Sequence, residues 1–312
     1  MTSCSLTHNR IEKTKRQVEL ETKMRKFLKR PGALPLIADL MFPEVAGYPE
    51  VKYGMMNMLV NQWDGPTRER IHILLYGKPG TGKTALMEPL ETNYNALYIS
   101  MDATAASLRG DGRREDHGAK IFNECDGEII CIDDIEKMKD MDLLRDVMEK
   151  GIYTVTKNGT HVEYDGHCRI VAATNDIKRM PYPIRSRFDL VYMFKFPTLD
   201  QSMNIVRQML HADTEKPNPG PFLSHYIALA KSHEPEIIEP DHIEDRFQNY
   251  FENYGTPTDD GEPGGKEGRW VAGIFRLAKS ISRLNLENLG PEQIAQALEM
   301  KHTSDEVLRS LS

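Results

Sequence analysis

The sequence predicts an α/β unit built on a parallel sheet, followed by an all-helical unit. Three observations carry that expectation: short apolar runs alternate with helical patterns through the first two thirds of the chain, a glycine-rich turn directly follows one run, and strand signals stop after Phe196-Pro197. The runs are Ile71 to Tyr76, Ala96 to Ser100, Glu128 to Ile132 and Arg169 to Ala173. Continuous apolar runs suit strands covered on both faces, as in βαβ units. The chain has 312 residues, enough for about two domains. With 39% hydrophobic and 28% charged residues it has the composition of an ordinary globular chain, which excludes global disorder and collagen-like architecture.

Residues 1–33 read as a basic helical extension. Residues 10 to 30 form a charged helix with Leu20, Met24, Phe27 and Leu28 on one face, stopped by Pro31-Gly32. Residues 1 to 30 hold nine basic and three acidic side chains, although the whole chain has a net charge of −7. Residues 34–197 form the expected nucleotide-binding domain. It opens on a helical pattern from Leu34 to Trp63, interrupted at Pro43, Gly47 and Pro49. Residues 198–312 form the expected helical domain, with helices over Asp200 to His211, Phe222 to Ser232, Asp241 to Tyr254, Arg269 to Leu284 and Pro291 to Met300. Breaks fall at Asp213 to Pro221 and at Gly255 to Gly268; the second is poor enough in apolar side chains to be expected mobile.

No apolar run approaches the roughly 18 to 20 residues needed to cross a bilayer, so no membrane partner is expected. The first residues lack the apolar stretch of a secretory signal, and a cytoplasmic address follows by default. Cys4, Cys125, Cys131 and Cys168 show no Cys-x-x-Cys spacing, so reduced, mostly buried thiols are expected in place of a zinc site or a disulfide framework. His161 and His167 read as surface residues of a hairpin and its flank.

The strongest chemical signal is Gly77-Lys78-Pro79-Gly80-Thr81-Gly82-Lys83-Thr84, a complete G-x-x-x-x-G-K-[ST] between an apolar strand and a helix. Glycines let backbone N–H groups turn toward phosphate oxygens, and the following helix N-terminus adds positive potential. Lys83 is placed to reach the β- and γ-phosphates, and Thr84 offers a hydroxyl to Mg²⁺. About fifty residues on, Ile129-Ile130-Cys131-Ile132-Asp133-Asp134 is a buried strand ending in two carboxylates, the pattern that delivers acids to the same sheet edge. Asp133 is expected to hold Mg²⁺, and Asp134 to polarise the water that attacks the γ-phosphate of ATP.

Around these motifs the chain resembles an AAA+ ATPase, and most closely the ATPase domain of minichromosome-maintenance (MCM) helicases and their archaeal stand-alone and RuvB-like relatives. The resemblance spans roughly residues 34 to 300. It rests on Phe42-Pro43-Glu44-Val45-Ala46-Gly47-Tyr48-Pro49-Glu50-Val51-Lys52, Ile132 to Met138, Val147-Met148-Glu149-Lys150-Gly151, Ser186-Arg187-Phe188-Asp189-Leu190, Tyr226 to Lys231 and Phe275 to Ala278. It implies an AAA+ core with a β-hairpin ahead of sensor 1, followed by a small helical lid. It also implies that Ala46 and Tyr48 contact the nucleotide, that Asn175 is sensor 1, and that Arg187 is an arginine finger acting on a neighbouring subunit, with Arg185 as runner-up. Arg269 matches sensor 2, with Arg276 as substitute.

The pattern Ile152 to Tyr164 with Asn158-Gly159 at its turn is a β-hairpin. In the resemblance it lines a central pore, where Lys157 would touch the DNA backbone in a hexameric ring of identical chains. Two departures stand out: Gly82 where the family usually has Ala, and Asp134 where Glu is usual. The expected activity is ATP hydrolysis driving motion on DNA, of the helicase or branch-migration type. The rival expectations are a MoxR-type protein remodeller and an ATP-switched loader or scaffold.

Overall fold

The computed structural model describes residues 15–43, 45–61, 70–99, 108, 121–157, 160–210, 219–255 and 266–310. In chain order these hold α1 (Lys15–Leu28), α2 (Ala33–Met41), α3 (Pro49–Val60), β1 (Ile73–Gly77), α4 (Lys83–Tyr94), β2 (Leu97–Ile99), α5 (Ile121–Glu124), β3 (Ile129–Ile132), α6 (Leu143–Lys150), β4 (Ile152–Lys157), β5 (Thr160–Asp165), β6 (Arg169–Thr174), α7 (Tyr182–Arg185) and β7 (Leu190–Phe194). Helices alone follow: α8 (Leu199–Leu210), α9 (Gly220–Ser232), α10 (Pro240–Tyr254), α11 (Lys266–Asn285) and α12 (Pro291–Arg309). No described helix is long and apolar enough to cross a membrane.

The main sheet runs β2-β3-β6-β1-β7, every pair parallel. Its apolar runs are continuous because alternate residues feed two separate cores. Ile73, Leu75, Ile129, Cys131, Val171 and Ala173 face one, and Leu74, Ile130, Ile132, Ile170, Ala172 and Val191 face the other. Each of these side chains is fully buried, which is worth roughly 1.5 to 3 kcal/mol for a Val, Leu or Ile. The first core continues through Met55 and Met58 of α3 into Tyr226, Ile274, Leu277 and Ile294 of the late helices. The second is capped by Phe122, Leu144, Val147 and Phe188. Strands β4 and β5 form their own antiparallel ladder, from Ile152 opposite Asp165 to Lys157 opposite Thr160.

Several expectations need amending. Strand β7 adds to the four expected runs: Leu190-Val191-Tyr192-Met193-Phe194 is a short apolar run that the structure uses as the edge partner of β1. Helix α12 runs past Met300 to Arg309, its buried side continuing through Lys301 and Ser304. Helix α11 starts at Lys266, ahead of Arg269. His167 is not a surface residue: it is 9% exposed, and its ring Nδ1 lies 2.7 Å from Asp126. The interruptions at Pro43 and Pro49 do split the first helical pattern, Pro49 taking the first turn of α3 where its missing N–H costs nothing. The expected mobile break falls mostly on residues 256–265, and with Cys4 and the Asn158-Gly159 turn it lies outside the described residues. Cys125, Cys131 and Cys168 are buried free thiols.

A buried polar junction ties the late helices to the amino-terminal edge of the sheet. Just ahead of β7, the Asp189 carboxylate accepts from the His72 backbone N–H at 2.9 Å and from Arg276 of α11 at 2.6 Å. Lys301 of α12 donates to the Asp189 carbonyl at 3.2 Å, and Val191 N–H donates to Ser304 Oγ at 3.0 Å. The His72 ring is buried, with Nδ1 accepting from Ile170 N–H at 3.1 Å and Nε2 lying 3.2 Å from the Met148 carbonyl. That pattern assigns a neutral ring with its proton on Nε2, since a proton on Nδ1 would meet the Ile170 N–H head on.

Burial pushes the His72 pKa down to about 3, against the partial opposition of Asp189. The unfolded chain therefore takes up one proton more than the native chain between about pH 6.5 and 3, so stability falls as pH falls, by about 1.4 kcal/mol per pH unit. His72→Gln should flatten the dependence of the urea midpoint on pH between 6.5 and 4.5 by that one-proton slope. An unchanged slope would show that His72 already titrates in the native state.

Candidate nucleotide site

The loop between β1 and α4 reverses direction with Gly80 at φ 79° and Gly82 at φ 92°, conformations that cost glycine nothing. Neither glycine has a non-neighbouring group within 4 Å of where a Cβ would stand, so at these two positions it is the backbone conformation rather than crowding that calls for glycine. Gly77 is different. A Cβ there would lie 2.5 Å from the Phe194 carbonyl, so the strand can enter the loop beside β7 only as glycine.

Lys83, at the start of α4, is 5% exposed and donates to the Gly77 carbonyl at 2.7 Å, the Lys78 carbonyl at 3.0 Å and Asn175 Oδ1 at 2.9 Å. All three ammonium hydrogens are thus directed into the loop and its neighbour. Burial lowers the Lys83 pKa, and the nearby Asp133, Asp134 and Glu136 carboxylates work against that shift.

Strand β6 lies between β1 and β3, so the residue just past β6 sits between the loop and the acids that follow β3. That residue is Asn175. Its Nδ2 donates to Asp134 Oδ1 at 2.5 Å while its Oδ1 receives Lys83. Thr84 Oγ1 donates to Asp133 Oδ2 at 2.9 Å, and Asp133 Oδ1 accepts from the Asp134 N–H at 2.9 Å. Thr84 and Asp133 are oxygen donors of the kind Mg²⁺ prefers, and because that ion keeps several waters, two protein oxygens are an adequate set.

The third side of the site is formed by the turn into α3. The Tyr48 hydroxyl donates to the Thr81 carbonyl at 2.9 Å, and its ring stacks on Phe194 at 4.5 Å between centroids. Beside it lies a cavity of about 360 Å³ whose lining includes Phe42, Val45, Ala46, Gly47, Lys52 and Arg207. Of the two residues joined to the site by resemblance alone, Tyr48 touches the phosphate loop, while Ala46 lines the neighbouring cavity.

The remaining candidates stand elsewhere. Arg187 donates to Glu149 of α6 and to the Pro183 carbonyl, and Arg269 of α11 donates to the other Glu149 oxygen at 3.0 Å. Glu149 belongs to the amino-terminal edge of the sheet, because its own carbonyl and that of Val147 accept from Arg70, three residues before β1. The phosphate loop is at the opposite edge, about 13 Å along a five-residue strand. Neither arginine reaches the loop of its own chain. Arg276, the substitute for sensor 2, is committed to Asp189. Lys157 is the last residue of β4, opposite Thr160 where the hairpin turns.

Residue patterns alone did not single out three participants. Lys137 donates to Asp134 Oδ2 at 2.5 Å, Glu136 accepts from the Asn175 N–H at 3.1 Å, and Glu149 gathers the two arginines. The first two could have been suspected from the density of charge directly after a buried strand. Glu149 could not, since its partners are 38 and 120 residues away.

A family model described as the MCM P-loop domain matches residues 20–211. DNA replication licensing factor mcm7-B of Xenopus laevis is 24% identical over 315 residues, covering 88% of this chain and 43% of that protein. DNA replication licensing factor MCM3 of Entamoeba histolytica is 25% identical over 249 residues, covering 69% of this chain and 41% of that protein. Minichromosome maintenance protein MCM of Saccharolobus solfataricus is 26% identical over 247 residues, 69% of this chain and 36% of that protein. The chain spans less than half the length of these relatives. Since the family model covers more than half of the chain, and the phosphate loop and parallel sheet agree with it, the chain belongs to the MCM P-loop domain family.

Proposed function

We propose that this chain is an ATP-hydrolysing AAA+ subunit that works in a ring, expected to be a hexamer, and moves DNA with its β4–β5 hairpin. The observation that carries the reading is the convergence of Lys83, Thr84, Asp133, Asp134 and Asn175 at the carboxyl ends of β1, β3 and β6. The loop N–H groups from Gly80 to Thr84 and the Lys83 ammonium bind the β- and γ-phosphates. Thr84 and Asp133 would hold Mg²⁺, which when bound offsets phosphate charge. Asp134 orients a water and accepts its proton at a carboxylate oxygen, while the Asn175 amide fixes the distance between that carboxylate and Lys83. Ala46 and Tyr48 bound the base side of the nucleotide.

Arg187 and Arg269, remote from their own phosphate loop, act on the nucleotide of the neighbouring subunit, where the charge of the transferring phosphoryl group develops. DNA is favoured over a polypeptide substrate because the hairpin's two tyrosines, Tyr153 and Tyr164, pair across its base with rings stacked at 5.5 Å and Tyr153 buried, well away from the turn. Lys157 beside the turn offers a cation to phosphates. Several relatives carry names that refer to DNA replication.

Lys83→Ala should abolish retention of magnesium ATP in a calorimeter. Asp134→Asn should keep it and lower turnover by about 10²- to 10⁴-fold, the usual contribution of a general base; normal turnover would remove Asp134 from the chemistry. Adding single-stranded or duplex DNA should stimulate the ATPase of the wild type in a salt-sensitive way, and Lys157→Ala should lose that stimulation. A wild type indifferent to DNA at low salt would end the DNA reading while leaving the ATPase reading intact.

A further inference from the structure

Arg187 and Arg269 come from different parts of the chain, one from the turn between α7 and β7 and the other from the first turns of α11, yet both end on one carboxylate. Arg187 binds Glu149 Oε2, and Arg269 binds Glu149 Oε1 at 3.0 Å. The two guanidiniums are therefore neighbours, although like charges at that separation repel. The Arg187 side chain is 9% exposed, Glu149 26% and Arg269 40%, so the cluster runs from the interior to the surface with the carboxylate in the middle. Glu149 is itself held by its backbone: it lies at the end of α6, where Arg70 donates to its carbonyl at 3.4 Å and to that of Val147 at 2.8 Å, and where the His72 ring approaches the Met148 carbonyl.

We infer that Glu149 is a positioning residue that gathers Arg187 and Arg269 into one double-cation unit, presented to a phosphate bound by the next copy of this chain. The inference rests on the ring reading above. One carboxylate against two guanidiniums leaves the cluster with a net positive charge, so it remains attractive to a triphosphate while each arginine stays in a fixed orientation. Arg187, anchored also at the Pro183 carbonyl, provides the rigid member. Arg269, more exposed and mounted on the helix carrying Arg276, brings the late helices to the same point; without Glu149 the first turns of α11 would lose this tie to α6.

The test compares wild type, Arg187→Ala, Arg269→Ala, Glu149→Gln and Glu149→Gln/Arg269→Ala, each brought to the same assembled fraction by sedimentation. Glu149→Gln should leave magnesium ATP affinity within twofold, because the residue is remote from its own phosphate loop, and should lower kcat of the assembled protein about tenfold with little change in KM. The loss in the double variant should be smaller than the product of the two single losses, since with Arg269 gone only the tie from Glu149 to Arg187 is left to lose. Glu149→Asp, which keeps the charge on a shorter arm, should recover part of the rate and provides the measurement if Glu149→Gln does not fold. Wild-type kcat in Glu149→Gln, or losses that simply multiply in the double variant, would overturn the positioning role. If Arg187→Ala also turns over normally in the assembled state, or if wild-type turnover is independent of assembly, it is the ring reading that fails.

Discussion

Asn175 bridges a cation and an anion delivered by strands that never pair with each other. Strand β6 alone separates β1 from β3, so a residue just past its end has the Lys83 ammonium on one side and the Asp134 carboxylate on the other. Without the amide, the two charges could pair directly. Such a pair would neutralise the two groups proposed to bind phosphate and to accept a proton. A neutral amide satisfies each with a charge-assisted hydrogen bond, worth about 1.5 to 3 kcal/mol, while keeping them apart. The Glu136 carboxylate fixes the Asn175 backbone N–H in turn, so the orientation of the amide is set from two directions.

The opposite edge of the same sheet is held by the His72, Asp189 and Arg276 junction, and the two edges communicate through β1 and β7. Five consecutive register pairs, from Ile73 with Leu190 to Gly77 with Phe194, make this a stiff ribbon. At its amino end Asp189 is bound by Arg276 and Lys301 from the two longest helices; at its carboxyl end Phe194 supports Tyr48 and closes on Gly77. Displacement of α11 or α12 would therefore be felt at the strand that feeds the phosphate loop. Arg269 and Arg276 divide the work on one helix: the first faces outward to Glu149, and the second is consumed by the junction.

What the sequence made legible is what contiguous residues encode. The phosphate loop carries its glycines, lysine and threonine within eight positions, and the acid pair declares itself by following an apolar run that only a doubly covered strand explains. The hairpin is legible for the same reason, its turn and its two alternating arms being adjacent. Contacts between distant segments left no such trace. Asn175 reaches Asp134 across 41 positions and Arg276 reaches Asp189 across 87. Arg269 and Arg276 are two turns apart on one amphipathic helix, and only packing against Asp189 and Glu149 distinguishes them. Likewise His167, next to a hairpin, looked solvated until Asp126 was folded beside it.

The two departures from the family pattern share one physical cause. Gly82 and Asp134, standing where the resemblance leads one to expect Ala and Glu, both occupy left-handed backbone, at φ 92° and φ 49°. For ordinary L-residues that region costs roughly 1 to 2 kcal/mol, glycine escapes the cost, and Asp is among the side chains that tolerate it best. At each position the residue present is thus better suited to the local backbone than the usual one. Asp134 gains further support because its N–H is taken by Asp133, and its two oxygens by Asn175 and Lys137. A shorter acid on a left-handed turn, with one hydrogen bond to each oxygen and a lone pair left on each, holds its carboxylate by backbone geometry where a longer acid would rely on side-chain rotamers. Asp at position 134 is therefore a conformational fit to this loop.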